Sequence, residues 1–276
     1  MEVGTTREAS LTVERGACNE MTEKVSKTSK DEQHVTMQHW FRDAMTIREN
    51  LERVQEQIAD SAKRAARSVD EITLIGVSKT HPGEAIQEAF EAGLRHFGEN
   101  RVQEWEGKRG AIANLPATWH LIGHLQSNKA TKAAKLFHCV DAVDDFALAQ
   151  RLARASGEYI GNGKLRVLVE VHLGGEESKS GVSGEQLPGL AENVSGLPQL
   201  ELAGLMCLPP YEQDVERVRP YFARLRDLRD QLEKRLGQKL PVLSMGMSHD
   251  FAAAIREGAT EVRIGTAIFG ARSVAG

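Results

Sequence analysis

The chain has 276 residues and a mass of 30.4 kDa, room for one large domain or two small ones. Hydrophobic residues at 41% and charged residues at 27% describe a globular chain, and aromatics at 5% leave its core to Leu, Val, Ile and Ala. A net charge of −4 without a long basic run argues against a dedicated nucleic-acid binder, whose affinity needs a phosphate-facing basic surface.

Residues 1–37 are rich in Glu, Lys, Thr and Ser, contain no aromatic side chain and show no sustained apolar period. Such a segment cannot bury enough surface to offset its ordering entropy, so it is expected to be a disordered extension ahead of a domain spanning 38–276. A regulatory tail is the alternative, and Met37 is a plausible second start. Order is expected from Trp40, with Phe41, Ala44, Ile47, Leu51, Val54 and Ile58 at the spacing of one amphipathic helix ending near Arg67.

The period then changes. Ile72–Val77 is short, apolar and β-branched, and seven more strand-like segments follow: Leu94–Phe97, Thr118–Ile122, Cys139–Ala142, Leu165–Val171, Leu200–Met206, Val242–Met245 and Glu261–Ile264. Helical patterns separate them at Pro82–Ala92, Val102–Ala113, Ser127–Leu136, Asp145–Ala155, Gly184–Asn193, Asp214–Leu236 and Asp250–Glu257. Pro220 is expected to mark a kink or the true first turn of its helix. Strand–helix alternation demands a parallel sheet, and eight repeats suggest closure into a (β/α)8 barrel. An open doubly wound sheet competes, but no GxGxxG follows the first strand.

Cys18, Cys139 and Cys207 form no regular pattern, which suits a reducing compartment. No apolar run reaches the roughly 18–20 residues that cross a bilayer, and the N-terminus lacks a secretory layout. A cytoplasmic protein with no membrane and no nucleic-acid partner is expected.

In such a barrel the active site lies at the C-terminal ends of the strands. Lys79, directly after the first strand, falls there. A partly desolvated lysine has a lowered pKa and exposes the neutral amine that forms Schiff bases, although position alone favours a lysine that snorkels to water. Ser244, Gly246, Ser248, Gly265 and Thr266 follow the last two strands, where barrels commonly hold a phosphate. Turn chemistry would explain the glycines alone. A lysine opposite a phosphate cradle is more specific, because pyridoxal 5′-phosphate needs an amine for its aldehyde and an anchor for its phosphate. Arg263, one residue inside the cradle, is placed to face the ring nitrogen and keep it unprotonated, which weakens the cofactor as an electron sink.

Other residues read more plainly. His120 and His124 have the HxxxH spacing, but they fall on a strand and its loop with no acidic residue beside them, so no metal is expected. Met206, Met245 and Met247 read as barrel packing, and Cys139 and Cys207 as small buried hydrophobes. Arg224, Arg226, Arg229, Lys234 and Arg235 interleave with acids as the solvated face of a helix.

These strand-end residues fall within recurring motifs: Val77-Ser78-Lys79-Thr80, Phe97-Gly98-Glu99-Asn100 with Gln103-Glu104, and Trp119-His120-Leu121-Ile122-Gly123. Leu125-Gln126-Ser127-Asn128-Lys129, Lys179-Ser180-Gly181 and Gly204-Leu205-Met206 continue the series, which ends in Ser244–Ser248 and Val262–Gly270. Through them the chain resembles the pyridoxal phosphate homeostasis proteins, also called the YggS or PROSC family, from about Ile47 to Arg272. The resemblance implies a single alanine-racemase-like barrel of fold type III. It matches Lys79 to the Schiff-base lysine, Arg263 to the arginine facing the pyridine nitrogen, and Ser244, Ser248, Gly265 and Thr266 to phosphate contacts, with Asn100 beside the ring. It implies a carrier or reservoir of the cofactor, with pyridoxal-phosphate-dependent apo-enzymes as recipients and no established catalysis. His172 departs from the Asn of many members, which puts a ring contact from that strand in doubt, and nothing transfers to the segment before Trp40.

An amino-acid racemase is the alternative. It needs a second base opposite Lys79. Of Tyr159, Tyr211 and Tyr221, the first is expected in a loop and the others at or within a helix, and the chain ends at Gly276 with no room for a second domain. A monomer with its cofactor open to solvent suits hand-over better than protected carbanion chemistry. A barrel for some other phosphorylated metabolite is a third, blander possibility.

Overall fold

The computed structural model describes residues 45–159, 163–174 and 180–270. The predicted extension over 1–37, the start of the first helix at Trp40, Phe41 and Ala44, and Gly175, Glu176 and Lys179 lie outside the described residues. The chain divides after Thr46, and the unit Ile47–Gly276 holds the sheet.

Eight parallel strands close into a barrel in chain order, β1 (Thr73–Val77), β2 (His96–Glu99), β3 (Thr118–Leu121), β4 (Cys139–Val143), β5 (Leu165–Val171), β6 (Leu200–Cys207), β7 (Val242–Met247) and β8 (Glu261–Ile264). Closure comes from β1 on β8, with Ile75 opposite Arg263 and Gly76 opposite Ile264. The described α-helices are α1 (Ile47–Arg64), α2 (Gly83–Glu91), α3 (Val102–Lys108), α4 (Ala130–Leu136), α5 (Phe146–Tyr159), α6 (Leu187–Ser195), α7 (Val215–Leu236), α8 (Phe251–Arg256) and α9 (Thr266–Phe269). None of them is long and apolar enough to cross a membrane.

The two faces of each strand have different fates. On β5, Val167, Val169 and Val171 join the large apolar layer between strands and helices, while Leu168 joins Ala142, Ala203, Met206 and Val242 inside the barrel. Arg166 and Glu170 share the inward face with Leu168 by the two-residue period of a strand. Arg166 on β5 pairs with Glu261 on β8 at 2.6 Å, a contact between strands that are not neighbours and so one that runs through the interior. The helical layer forms as the periodicity predicts: α1 buries Leu51, Val54 and Ile58 and packs on α8 and α9. Asp214 caps α7 by accepting from the Glu216 amide at 3.0 Å, and Gly237 closes it at φ 65°. Pro220 falls in the second turn, where the helix continues through it.

Several boundaries differ from the sequence reading. The helix expected over Val102–Ala113 stops at Lys108 and tightens into a 3-10 turn, Arg109–Ala111, where Gly107 and Gly110 weaken helical propensity. The seventh strand runs on to Met247 because Gly246, at φ 92°, lets the pairing with β8 shift register between Ser244 and Met247. The short α9 has no apolar period long enough to announce it. Tyr159 closes α5 rather than lying in a loop, and Tyr211 lies in the segment before α7.

Candidate functional site

The candidate residues occupy one contiguous arc. The C-terminal ends of β7, β8, β1 and β2 are neighbours; they carry Ser248, Gly265 with Thr266, Lys79 and Asn100, while Ser244 and Arg263 lie within β7 and β8. Backbone approach along the arc is close: a Cβ on Gly265 would stand 3.3 Å from the Val77 carbonyl, and one on Gly123 only 2.5 Å from that of Asn100. Ser248, Gly265, Asn100 and Lys79 are half-buried, and Thr266 is exposed. The turn after β7 is fixed by Asp250, whose carboxylate accepts from the Met247 amide at 2.6 Å.

Lys79 follows an inward-facing row. Gly98 and Ile75 share a face, since a Cβ on Gly98 would touch Ile75, Val77 continues that alternation to the end of β1, and Lys79 stands in the turn just beyond it. Ser78 points the other way. Its hydroxyl donates to Glu99 at 2.5 Å, and Glu99 also takes Lys108 at 2.7 Å behind the wall of the barrel. Burial pushes the Glu99 carboxyl up, against the pull of Lys108. Thr80 holds a left-handed conformation at φ 66°, and its amide donates to Glu104.

Arg263 is 3% exposed, and its guanidinium donates to Ser244 Oγ at 2.7 Å and to the Cys207 carbonyl at 2.8 Å. The second bond passes from β8 over β7 to β6 and directs the side chain into the barrel. Ser244 therefore sits within β7, fully buried, as the group that orients Arg263, and not in the loop where the sequence reading put it. Across the mouth stands Glu170, which burial and the nearby Asp144 raise to about 7 while Arg263 and His124 pull it down. Glu170 and Lys108 escaped the sequence reading. A lone carboxylate in an apolar strand signals the first, and an i,i+4 Glu104–Lys108 pair signals part of the second.

The histidines do have acidic partners, which lie on the neighbouring strand, deeper in the interior, for His120, and on that strand's following loop at the mouth for His124. His120 meets Asp141 at 3.0 Å and His124 meets Asp144 at 3.2 Å. Burial opposes the charge on His120, but Asp141 lifts it well above its ordinary value. Burial, then the charge of His120, pushes neighbouring His96 down to about 4. Cys139 is buried yet not simply apolar, for it accepts from Arg166 at 3.6 Å, and its sulfur lies with His120 and Asp141 in one group of possible ligands. Of the three methionines, Met206 and Met245 are packed, whereas Met247 is 36% exposed. On α7, Arg226 pairs with Glu257 on the chain after α8, and Arg235 with Glu192 on α6.

A closed parallel barrel with a lysine after its first strand and a glycine- and hydroxyl-rich rim after its last two places this chain in the alanine racemase N-terminal domain class, whose family pattern matches residues 45–273. A pyridoxal phosphate homeostasis protein of Aquifex aeolicus is 45% identical over 228 residues, covering 83% of this chain and 99% of the relative. The one from Pseudomonas aeruginosa is 49% identical over 229 residues, covering 82% and 96%. PipY of Synechococcus elongatus, solved without PLP, superposes at a TM-score of 0.73 with 40% identity, covering 82% of this chain and all (100%) of that one. The same protein solved with PLP bound gives 0.69 with 40% identity, covering 77% and 100%. The chain belongs to the pyridoxal phosphate homeostasis protein family.

Proposed function

We propose that this protein binds pyridoxal 5′-phosphate as a Schiff base on Lys79 and holds it as an intracellular carrier or reservoir, without catalytic turnover of its own. The observation that carries this reading is the arc itself: a half-buried lysine in the turn after β1, between the strand ends that carry Asn100 and the rim Gly265–Thr266, with a buried arginine on β8. The donor set fits the ligand. An amine suits an aldehyde, while the Ser248 and Thr266 hydroxyls and the backbone of Gly265 suit a phosphate. The acids that bond the turn after β1, Glu99 of β2 and Glu104 of α3, stand behind the wall rather than in this rim.

When bound, the cofactor supplies an electrophilic aldehyde and a conjugated ring. The Lys79 amine is the group that would hold the cofactor through its aldehyde. Ser248, Gly265 and Thr266 would hold the phosphate, Asn100 would stand beside the ring, and Arg263, fixed by its bonds to Ser244 and Cys207, would supply a permanent cation toward the ring nitrogen. A permanent cation there disfavours a protonated nitrogen and with it carbanion chemistry. Storage and delivery to apo-enzymes follow more naturally than catalysis. In this reading the protein works as a cytoplasmic monomer built on the domain 38–276.

The test is hand-over. Loaded protein, freed of excess cofactor, is mixed with a pyridoxal-phosphate-dependent apo-enzyme, and recovered enzyme activity is followed beside chiral assays of the loaded protein with amino acids. Restored enzyme activity with no amino-acid turnover is expected. Sustained racemization, or no transfer, contradicts the carrier reading.

A further inference from the structure

We propose that Lys108 is a positioning residue for Lys79: from behind the barrel wall it holds the turn Ser78–His81 and so aims the Lys79 amine into the mouth. The Lys108 ammonium meets Glu99 at 2.7 Å, the Ser78 carbonyl at 2.8 Å, Glu104 at 3.2 Å and the His81 carbonyl at 3.4 Å. Two of these are backbone groups on either side of Lys79. The two carboxylates take the remaining polar groups of the turn, Glu99 the Ser78 hydroxyl and Glu104 the Thr80 amide. The turn is thus gripped before, after and beneath Lys79 by three side chains of β2 and α3.

Physical cost argues that the grip has a purpose. The Lys108 and Glu99 side chains are 12% and 0% exposed, and a buried ion pair is often no more stabilising than apolar residues of the same volume. What an ion pair provides is a defined geometry. Thr80 is β-branched and left-handed, a conformation that persists only where its surroundings over-determine it and that tends to occur at functional sites. Lys108, last residue of α3, ties that strained turn to a helix on the next strand's crossover, so the lysine does not depend on a free loop.

The assignment of what Lys79 does rests on the cofactor reading above, but the grip on the turn does not. The test compares wild type, Lys108→Met and Lys108→Arg by two readouts. Amide hydrogen exchange over residues 78–81 needs no cofactor. The rate of borohydride-trapped adduct formation on Lys79 with added pyridoxal phosphate does. Lys108→Met is expected to exchange at least about tenfold faster over the turn with β1 unchanged, and to form the adduct about tenfold more slowly. Lys108→Arg should recover most of both. If Lys108→Met does not fold, Glu104→Ala removes the Thr80 acceptor and should move both readouts the same way. Turn exchange and adduct rate within twofold of wild type in a folded variant, or a stability loss that Lys108→Arg restores while the adduct rate never changed, would overturn the proposal. A wild type that forms no adduct sinks the cofactor reading instead, and exchange over the turn still decides the role of Lys108.

Discussion

Glu170 shows how a single side chain links burial to pH. It is 3% exposed, stands with Asp144, Arg263 and His124, and is raised by its burial to about 7. A carboxyl whose folded-state pKa lies above its unfolded value adds stability at low pH and loses it as pH rises through the folded value. The protein should therefore lose stability between about pH 4.5 and about 7 on this account. Glu170→Gln keeps the shape and removes the proton, and should flatten that fall by roughly 2–3 kcal/mol at most. Urea unfolding at several pH values reads it. An unchanged pH slope in the variant would show that Glu170 does not titrate in this window. His96 has the opposite sign: held down to about 4, it adds stability above its ordinary pKa and loses it as pH falls toward 4.

At the scale of elements, the loops after β2 and β3 are pressed together at Gly123. A Cβ there would come within 2.5 Å of the Asn100 oxygen and 2.9 Å of its Cα, both backbone atoms that cannot swing aside. Gly123→Ala is expected to displace Asn100 and weaken pyridoxal phosphate binding by about tenfold, roughly 1.4 kcal/mol, in a spectroscopic titration. Binding as tight as wild type would separate Asn100 from the cofactor. What the sequence made legible at this scale follows from what periodicity encodes. The bounds of β5 and β8 agree with the structure to the residue, since apolar runs between turn signals are self-contained. The placement of Lys79 just beyond β1 and of Arg263 on β8 was legible, because strand bounds follow from the apolar runs. The true end of β7 was not, as it depends on the left-handed Gly246, and a dihedral angle leaves no mark in composition. The partners Asp141 for His120 and Glu99 for Lys108 were also hidden: the first arrives from the adjacent strand β4, the second from the end of β2 across the loop into α3, and neither approach is written in a periodic pattern.

The whole barrel is braced across its interior by charge as well as by packing. Arg166 and Glu261 face one another from β5 to β8, and the second Glu261 oxygen is buried with no hydrogen-bond partner among the described residues. Removing only the arginine strands that carboxylate, so Arg166→Met should cost about 3–5 kcal/mol in denaturant unfolding. Adding Glu261→Gln should return a large part of it, because the stranded charge goes too. A double variant no more stable than the single one would mean that Arg166 acts through packing instead. With the interior braced at one end, the other is left to the arc of Lys79, Asn100, Arg263 and the last two strand ends. The most direct measurement on that arc is borohydride reduction of protein saturated with pyridoxal phosphate, followed by peptide mapping in a mass spectrometer. The account predicts a phosphopyridoxyl group on Lys79, absent from Lys79→Ala. Cofactor uptake with Lys79 unmodified, or no uptake by folded protein, would contradict it.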